Sequence, residues 1–424
     1  MFENKLKRNI PLDYLFIFSS NLNFTHGIWM IFLAAKGFTL FQLGIMESVF
    51  HITSFLMEVP TGIVADIWGR KISRLWGRIF FFLSLGIMFF ASSFWIQLFG
   101  FILTALGYNL ESGAGEALIY DSLVLGGEKD RFMKVKGVQE FLFQLSFIFS
   151  FLAGGYLAVT SYGTVFGITG VTVIISLIVA LFFREARVSK NEPGEESERG
   201  GDAQTRGGAK GFLFLAGRSI KEQVLGSMKV LKERPRIGLL ILFSEIIFVF
   251  YTTEFFYLQN FWKGEGLNEW GIGIIYAIQC GVSGITGLLA PKIEKKIGEK
   301  GILMAGPVFL ALGMWGIALT PYSAAFFVAS GILEGILVVA ISDYVNKLIP
   351  SEYRATILSL QSMCFSMGMI FLFPLFGFIS DTVSMKVSFL ATAVLATLGG
   401  GIFIFRIFLK NPGSGNASES KGKV

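Results

Sequence analysis

The ten residues Gly62-Ile63-Val64-Ala65-Asp66-Ile67-Trp68-Gly69-Arg70-Lys71 join two apolar segments, each of which is long enough to cross a bilayer at about 20 residues. An aspartate and two basic residues interrupt a sequence that is otherwise rich in Phe, Leu and Ile. Gly62 lets two helices approach closely, and Gly69 permits a tight turn. The stretch therefore predicts a short polar turn between two membrane-spanning helices.

The composition of the whole chain agrees with a membrane protein. Of its 424 residues, 53% are hydrophobic and only 16% are charged, whereas soluble proteins carry about 25% charged residues. Cys280 and Cys364 both lie in apolar runs, so we expect neither a disulfide framework nor a metal site. The composition indicates lipid as the main solvent.

Twelve apolar runs are long enough to span the membrane, and they are continuously apolar, as helices require and barrel strands do not. The first run follows Lys5, Lys7 and Arg8, but it is too long for a signal peptide and lacks a cleavage site, so we expect a retained helix. The predicted spans are 12–34, 41–64, 75–95, 97–119, 137–159, 163–183, 236–258, 270–290, 301–319, 324–346, 354–379 and 384–408. The sequence thus predicts an all-α polytopic membrane protein.

The basic residues predict the orientation. All but three of the 36 Lys and Arg residues lie in the tails, the linker and the loops of one face; the exceptions are Lys36, Lys263 and Lys386. Positive loops stay in the cytoplasm. We expect a multi-pass protein of the inner, cytoplasmic membrane with both termini cytoplasmic, and the formal net charge of +6 does not indicate nucleic-acid binding.

One polar segment divides the chain. The predicted parts are an N-terminal six-helix bundle (1–184), a cytoplasmic linker (185–235), a C-terminal six-helix bundle (236–410) and a tail (411–424). Within the linker, the Gly-, Glu- and Ser-rich stretch 190–210 predicts disorder, and 212–233 predicts a helix on the membrane surface.

A weak internal repeat supports two pseudo-symmetric halves. A shift of 223 residues places Arg131 on Arg354 and Glu111 on Glu334. Duplicated six-helix halves are typical of secondary transporters, in which the substrate site lies near the midplane between the halves.

The stretch 62–71 resembles the G-x-x-x-D-x-x-G-R-K loop of the major facilitator superfamily. The resemblance extends over the whole chain in span count, linker position and repeat. Within the superfamily, the chain resembles the bacterial and archaeal drug-efflux-like members. The second half keeps a degenerate copy, in which Pro291 replaces the acidic residue.

The resemblance implies a cytoplasmic gate. Asp66 would face the start of span 11 near Arg354, and Arg70 would pair with Asp121 at the inner end of span 4. The alternative is that Arg70 and Lys71 only anchor the helix end at the membrane surface. The predicted gate residues are Gly62, Asp66, Gly69, Arg70, Lys71, Asp121 and Arg354.

Two exporter signatures of the superfamily are missing. Asn109 stands where exporters usually have an arginine in span 4, before Gly113 and Gly115, and the Gly-Pro pair of span 5 is absent. The motifs therefore do not secure antiport.

Polar residues inside the spans predict the transport site, because charge in a bilayer is costly and usually functional. Glu47, His51 and Glu58 are spaced to share one face of span 2. The predicted substrate- or proton-binding residues are Glu111, Glu334, Glu245, Asn23, His26, Glu47, His51, Glu58 and Asn109.

We expect no Lys or Arg near any midplane, so the cavity should be negative or neutral and favour cations or uncharged molecules. Tyr251 and Tyr257 could offer aromatic faces to a lipophilic cation, although most membrane aromatics simply pack or face lipid. Asp13 and Glu140 fall at span ends, and we expect no substrate role for them.

Burial favours the protonated form of a carboxylate, so Glu111 and Glu334 suit proton coupling; the alternative is that each forms a structural hydrogen bond to a neighbouring helix. Glu111→Gln or Glu334→Gln should then abolish uphill transport in a folded protein.

The sequence predicts a proton-coupled exporter of hydrophobic or cationic small molecules that works by alternating access as a monomer, without cofactor. A proton symporter that imports a neutral solute such as a sugar is the alternative. A non-transporting receptor or a membrane enzyme is less consistent with the sequence, which has two histidines and no metal or phosphate motif.

Overall fold

The computed structural model of the protein describes residues 6–186, 235–348 and 354–406. The predicted disordered and surface-helix segments of the linker lie outside these residues, as does the tail. The regular secondary structure of the described residues is helical, with helices α1 (Asn9–Asn21), α2 (Trp29–Ala35), α3 (Leu40–Trp68), α4 (Arg70–Phe90), α5 (Phe94–Leu125), α6 (Phe132–Thr160), α7 (Tyr162–Phe182), α8 (Pro235–Gly264), α9 (Glu269–Leu319), α10 (Ser323–Leu348), α11 (Arg354–Thr382) and α12 (Met385–Ile404). A 3₁₀ turn, Lys129–Arg131, precedes α6.

Nine helices within the described ranges are long and apolar enough to cross a membrane. Large apolar side chains on their outer faces are exposed, among them Phe90 (81%), Trp95 (76%) and Leu288 (82%). In water such surfaces would drive association. They fit a protein whose outer surface faces lipid.

Helix α9 contains two of the predicted spans. Its 51 residues are interrupted at Gly298, where φ is 70° and ψ is 170°. A positive φ is readily adopted by glycine and strained for residues with a side chain. Gly298 therefore turns the chain between the spans predicted at 270–290 and 301–319.

The first predicted span, in contrast, is not one continuous helix. Helix α1 ends at Asn21 and α2 begins at Trp29. Between them, the side-chain oxygen of Asn23 accepts hydrogen bonds from the backbone N–H and the hydroxyl of Thr25, at 3.2 and 2.6 Å. A side chain that bonds to nearby backbone competes with the helix, so Asn23 stabilises the break and lies in it.

The described chain forms two compact units. The first contains residues 6–25, 49–150 and 161–186, and the second contains residues 26–48, 151–160, 235–348 and 354–406. In the first, Phe16, Leu118 and Phe183 belong to a buried cluster. In the second, Leu240, Leu337 and several residues of α9, α11 and α12 form a larger core. The predicted division of the chain into bundles at 184 and 236 stays a prediction.

Candidate functional site

A buried arginine lies at the centre of the polar network in the first unit. The side chain of Arg74 on α4 is 1% exposed. Its Nη1 donates to Asp13 Oδ1 on α1 at 2.8 Å, and its Nε donates to Glu111 Oε1 on α5 at 2.9 Å. Burying charges costs free energy unless they are paired and hydrogen-bonded, and this arrangement meets that condition across three helices.

Further contacts surround the same arginine. Gln139 on α6 donates from Nε2 to Asp13 Oδ2 at 2.6 Å, which connects a fourth helix. The rings of Phe16 and Phe183 lie 4.0 and 4.5 Å from Arg74 Cζ, within the range of cation–π attraction. One atom is left over, because the buried Glu111 Oε2 has no hydrogen-bond partner among the described residues.

The expectation that no Lys or Arg lies near a midplane stays a prediction, but two arginines are buried within a helix. Helix α4 begins at Arg70, five positions before the predicted span, so Arg74 and Arg78 lie inside it, 1% and 4% exposed. Asp13, for which we expect no substrate role, has a buried side chain that pairs with Arg74, and the absence of a substrate role stays a prediction. In the sequence, Arg74 looks like a loop residue because it lies close to a turn. Its carboxylate partners belong to other helices, so the local sequence does not reveal them.

The predicted gate pair is present in the first unit. Arg70 Nη1 contacts the carboxylate of Asp121, as the resemblance implied, and it also donates to the backbone oxygen of Ala117 at 2.6 Å. Glu185 accepts from the backbone N–H groups of Arg70 and Lys71 at 2.9 and 3.0 Å. Such contacts satisfy the first N–H groups of a helix, here those of α4.

Sequence reasoning missed Glu185, which follows the last predicted span of its half and belongs to no motif. Lys71 Nζ donates to Leu181 O at 2.6 Å, and Gly69 has a φ of 109° directly before α4. The turn is thus held to α7 and to the segment after it.

Within the described ranges, Asp66 and Gly62 take no such contact. Asp66 is exposed, and a Cβ added at Gly62 would meet open space. Arg354 begins α11, but its side chain lies outside the described part of the chain. The contact that the resemblance implies between Asp66 and span 11 stays a prediction.

Asn109 ties two helices together. Its Oδ1 accepts from Ser54 Oγ, and its Nδ2 donates to Ser54 O, both at 2.7 Å. Asn109 therefore connects α3 to α5 at the position where exporters have an arginine. Of the three residues predicted to share a face of span 2, Glu47 and His51 are buried and Glu58 is exposed.

In the second unit, three helices meet at Glu334. Its Oε2 accepts from Gln279 Nε2 on α9 at 2.7 Å and from the Tyr251 hydroxyl on α8 at 3.2 Å, and Gln279 also contacts Tyr251. The ring of Tyr251 stacks on Phe327 with 6.2 Å between centroids. Donors of this kind stabilise an ionised carboxylate.

Glu245 has a similar but simpler environment. It is 5% exposed, and its Oε1 accepts from Gln361 Nε2 on α11 at 2.7 Å and from Ser244 Oγ at 3.0 Å. Neither Glu245 nor Glu334 forms an ion pair within the described ranges. Glu245 and Glu334 are thus both held by neutral donors, whereas Glu111 of the first unit is held by a cation.

His26 lies among aromatic rings of the second unit. The centroids of Phe151, Phe255 and Phe256 are 5.6 to 5.8 Å from its own, and its backbone oxygen accepts from Gln259 at 3.2 Å. Tyr257, a predicted cation contact, is instead fully buried and donates to Phe373 O at 2.8 Å. Its contacts are those of a packed core residue.

Glu254 on α8 is a further buried carboxylate that sequence reasoning missed. It is 3% exposed, and its Oε1 has no hydrogen-bond partner in the described chain. The signal was available, because Glu254 is an acidic residue inside an apolar run, as is Glu245. Glu254 lies near the end of the predicted span 236–258, and the predicted site residues of this span lie nearer the expected membrane midplane.

Comparisons with known proteins agree with this fold. Residues 14–356 and 320–424 match the family model of the Major Facilitator Superfamily. An uncharacterized MFS-type transporter of Bacillus subtilis (strain 168), YxaM, is 27% identical over 376 residues, which cover 87% of this chain and 88% of that protein.

Solved transporters share the architecture at low identity. The nucleoside transporter NupG superposes with a TM-score of 0.71 at 16% identity, covering 95% of this chain and 98% of that one. A bacterial homologue of the human lysosomal transporter Spinster gives 0.72 at 16%, covering 97% and 98%. A D-xylose-proton symporter gives 0.65 at 13%, covering 95% and 97%. The predicted all-α fold of two six-helix bundles is confirmed.

Proposed function

We propose that this chain, which belongs to the major facilitator superfamily of transporters, exports hydrophobic or cationic small molecules in exchange for protons. The observation that carries the proposal is the carboxylate of Glu334, which neutral donors, and no cation, contact among the described residues. An anionic group without a basic partner attracts cations. The neighbouring rings of Tyr251 and Phe327 offer the faces that a lipophilic cation prefers.

The charge balance of the first unit supports the same assignment. Arg74 is already occupied by Asp13 and Glu111, so this cation is committed to the protein's own carboxylates. An anionic substrate would have to break a buried ion pair in order to bind it. We therefore assign to Glu111 mainly a structural role in the network around Arg74. Its Oε2, which has no hydrogen-bond partner among the described residues, gives it an additional role in proton exchange.

Proton coupling follows from competition for one carboxylate. When a cationic substrate leaves Glu334, a proton can take its place, because burial disfavours an uncompensated negative charge. The substrate and the proton then exclude each other, which is the requirement for exchange. Alternating access would carry each to the opposite side of the membrane.

A proton symporter that imports a neutral solute is the second candidate. Gln279, Tyr251 and Gln361 are neutral hydrogen-bonding groups that suit the hydroxyls of a sugar or nucleoside. Two structures of similar fold are described as a D-xylose-proton symporter and a nucleoside transporter. The similarity to these structures shows only the fold. What favours a symporter is therefore the set of neutral hydrogen-bonding side chains in this protein.

We further propose that the protein acts as a monomer in the inner, cytoplasmic membrane with both termini in the cytoplasm, and that it needs no cofactor, binds no nucleic acid and catalyses no reaction. The distribution of basic residues supports the orientation. One chain contains both halves, which supports the monomer.

The two candidates predict opposite proton movements in liposomes with an internal pH dye. For an exchanger, addition of a lipophilic cation outside acidified vesicles releases protons from the lumen. For a symporter, a sugar or nucleoside added outside brings protons in. The control variant Glu299→Gln alters a partly exposed ion pair with Arg236 and should behave as the unmodified protein. If neither a lipophilic cation nor a sugar or nucleoside causes proton movement, both candidates are contradicted.

A further inference from the structure

Glu254 is buried without the partners that its neighbours on α8 have. It is 3% exposed, and its Oε1 forms no hydrogen bond within the described chain. One turn away on either side, Phe250 and Leu258 are 8% and 0% exposed. Along α8, Glu254 is therefore flanked by buried apolar side chains.

Two titratable groups on the helices that pack against α8 have hydrogen-bond partners other than Glu254. These helices are α2, α9, α10, α11 and α12. On α9, the Tyr276 hydroxyl contacts Phe255 O, and on α10, Glu334 accepts from Gln279 and Tyr251. Cys280 and Cys364 are free thiols within α9 and α11, and α2 contains no charged residue.

Two charged groups near the ends of these helices also have partners. Asp381 of α11 accepts from the backbone N–H groups of Leu40 and Phe41 at 3.1 and 2.7 Å. Lys386 of α12 lies 3.5 Å from Glu265. Among the described residues, none of these groups forms an ion pair with Glu254.

Such an environment selects the neutral form of a carboxyl group. An ionised carboxylate without a counter-ion is strongly disfavoured in an apolar interior, and it takes up a proton instead. Glu334 differs, because Gln279 and Tyr251 donate hydrogen bonds to its Oε2. The second unit thus contains one carboxyl group suited to a cation and another suited to a proton.

We propose that Glu254 is a proton-binding site of this transporter, separate from the substrate carboxylate Glu334. In the conformation described here it holds a proton. When α8 moves relative to its neighbours and water or a donor reaches the carboxyl group, the proton leaves as hydronium and the carboxylate remains. This assignment rests on the proposed proton coupling and deepens it, because the proton that competes with the substrate for Glu334 then has a second binding residue on a neighbouring helix.

Infrared spectroscopy of the purified, reconstituted protein tests the protonation directly. The spectrum at pH 7 should contain the C=O absorption of a protonated carboxyl group, and this absorption should be lost in Glu254→Gln. Glu299→Gln, which changes an exposed carboxylate, should leave it intact. An unchanged absorption in folded Glu254→Gln protein would overturn the proposal. Folding is checked by the elution profile on size exclusion.

Transport measurements then distinguish a role of Glu254 in proton coupling from a purely structural role as a buried acid. In Glu254→Gln, proton movement driven by substrate should be slower than in the unmodified protein, while substrate counterflow between equal pH values persists. If the absorption is lost but proton movement continues at the original rate, Glu254 is a structural acid and the proposal is wrong. If no compound is transported by the unmodified protein, the proposed function fails, whereas the infrared result still decides whether Glu254 is protonated.

Discussion

Removal of Arg74 should destabilise the protein more than removal of any exposed basic residue. In Arg74→Gln, the buried carboxylate of Asp13 and the partly buried carboxylate of Glu111 lose their cation, and Phe16 and Phe183 lose their cation–π contacts. Breaking a buried ion pair from one side costs about 3–5 kcal/mol. For a unit of roughly 150–250 residues, 1 kcal/mol corresponds to about 2–4 °C, so the melting temperature should fall by on the order of 10 °C.

The assay is thermal unfolding in detergent, followed by the fraction that remains monodisperse. A matched control is Lys136→Gln, because the pair of Lys136 with Glu116 is similar in length at 2.8 Å but 41% and 57% exposed. Exposed pairs contribute about 0–1 kcal/mol, so the control should melt within a few degrees of the unmodified protein.

A second variant distinguishes lost pairing from lost packing. The triple change Asp13→Asn, Arg74→Gln and Glu111→Gln removes all three charges together, so no buried charge is left without a partner. Its melting temperature should lie above that of Arg74→Gln alone. If Arg74→Gln has the same melting temperature as the Lys136→Gln control, the reasoning about the buried network is refuted.

Three smaller predictions concern other contacts. Asp381→Asn weakens the acceptor for the first N–H groups of α3 and should cost about 1 kcal/mol, measured as faster amide exchange at the start of that helix. Gly273→Ala places a Cβ 2.3 Å from Phe151 O, whereas a Cβ at Gly313 meets open space; only the former should lower the melting temperature, and equal effects would contradict the packing. Asn109→Ala loses both hydrogen bonds to α3 and should cost about 1–3 kcal/mol in chemical unfolding, with an unchanged midpoint counting against the contact.

The sequence predicted the parts of the fold that depend on local composition. Apolar runs revealed the spans, and the segment 62–71 revealed the family. The same information did not show the break after Asn21, because Asn23 stabilises it through its own neighbours, and hydropathy averages over such residues.

The site was less predictable, because its chemistry depends on pairing between helices distant in sequence. The residues of the segment 62–71 were informative: Arg70 contacts Asp121 as expected. Arg74, four residues later, looked like one more basic loop residue, and nothing near it in the chain indicated its pairing with Asp13 and Glu111. Glu254 could have been found by treating every acidic residue in a span alike, but its lack of partners is visible only in three dimensions.

The central claim is that the carboxylate of Glu334 recognises a cation, and equilibrium binding of tetraphenylphosphonium to the purified protein tests it most directly. Loss of the charge in Glu334→Gln should weaken binding at least about tenfold, equivalent to about 1.4 kcal/mol, while Glu299→Gln binds as the unmodified protein does. An unchanged Kd in folded Glu334→Gln protein would contradict the account.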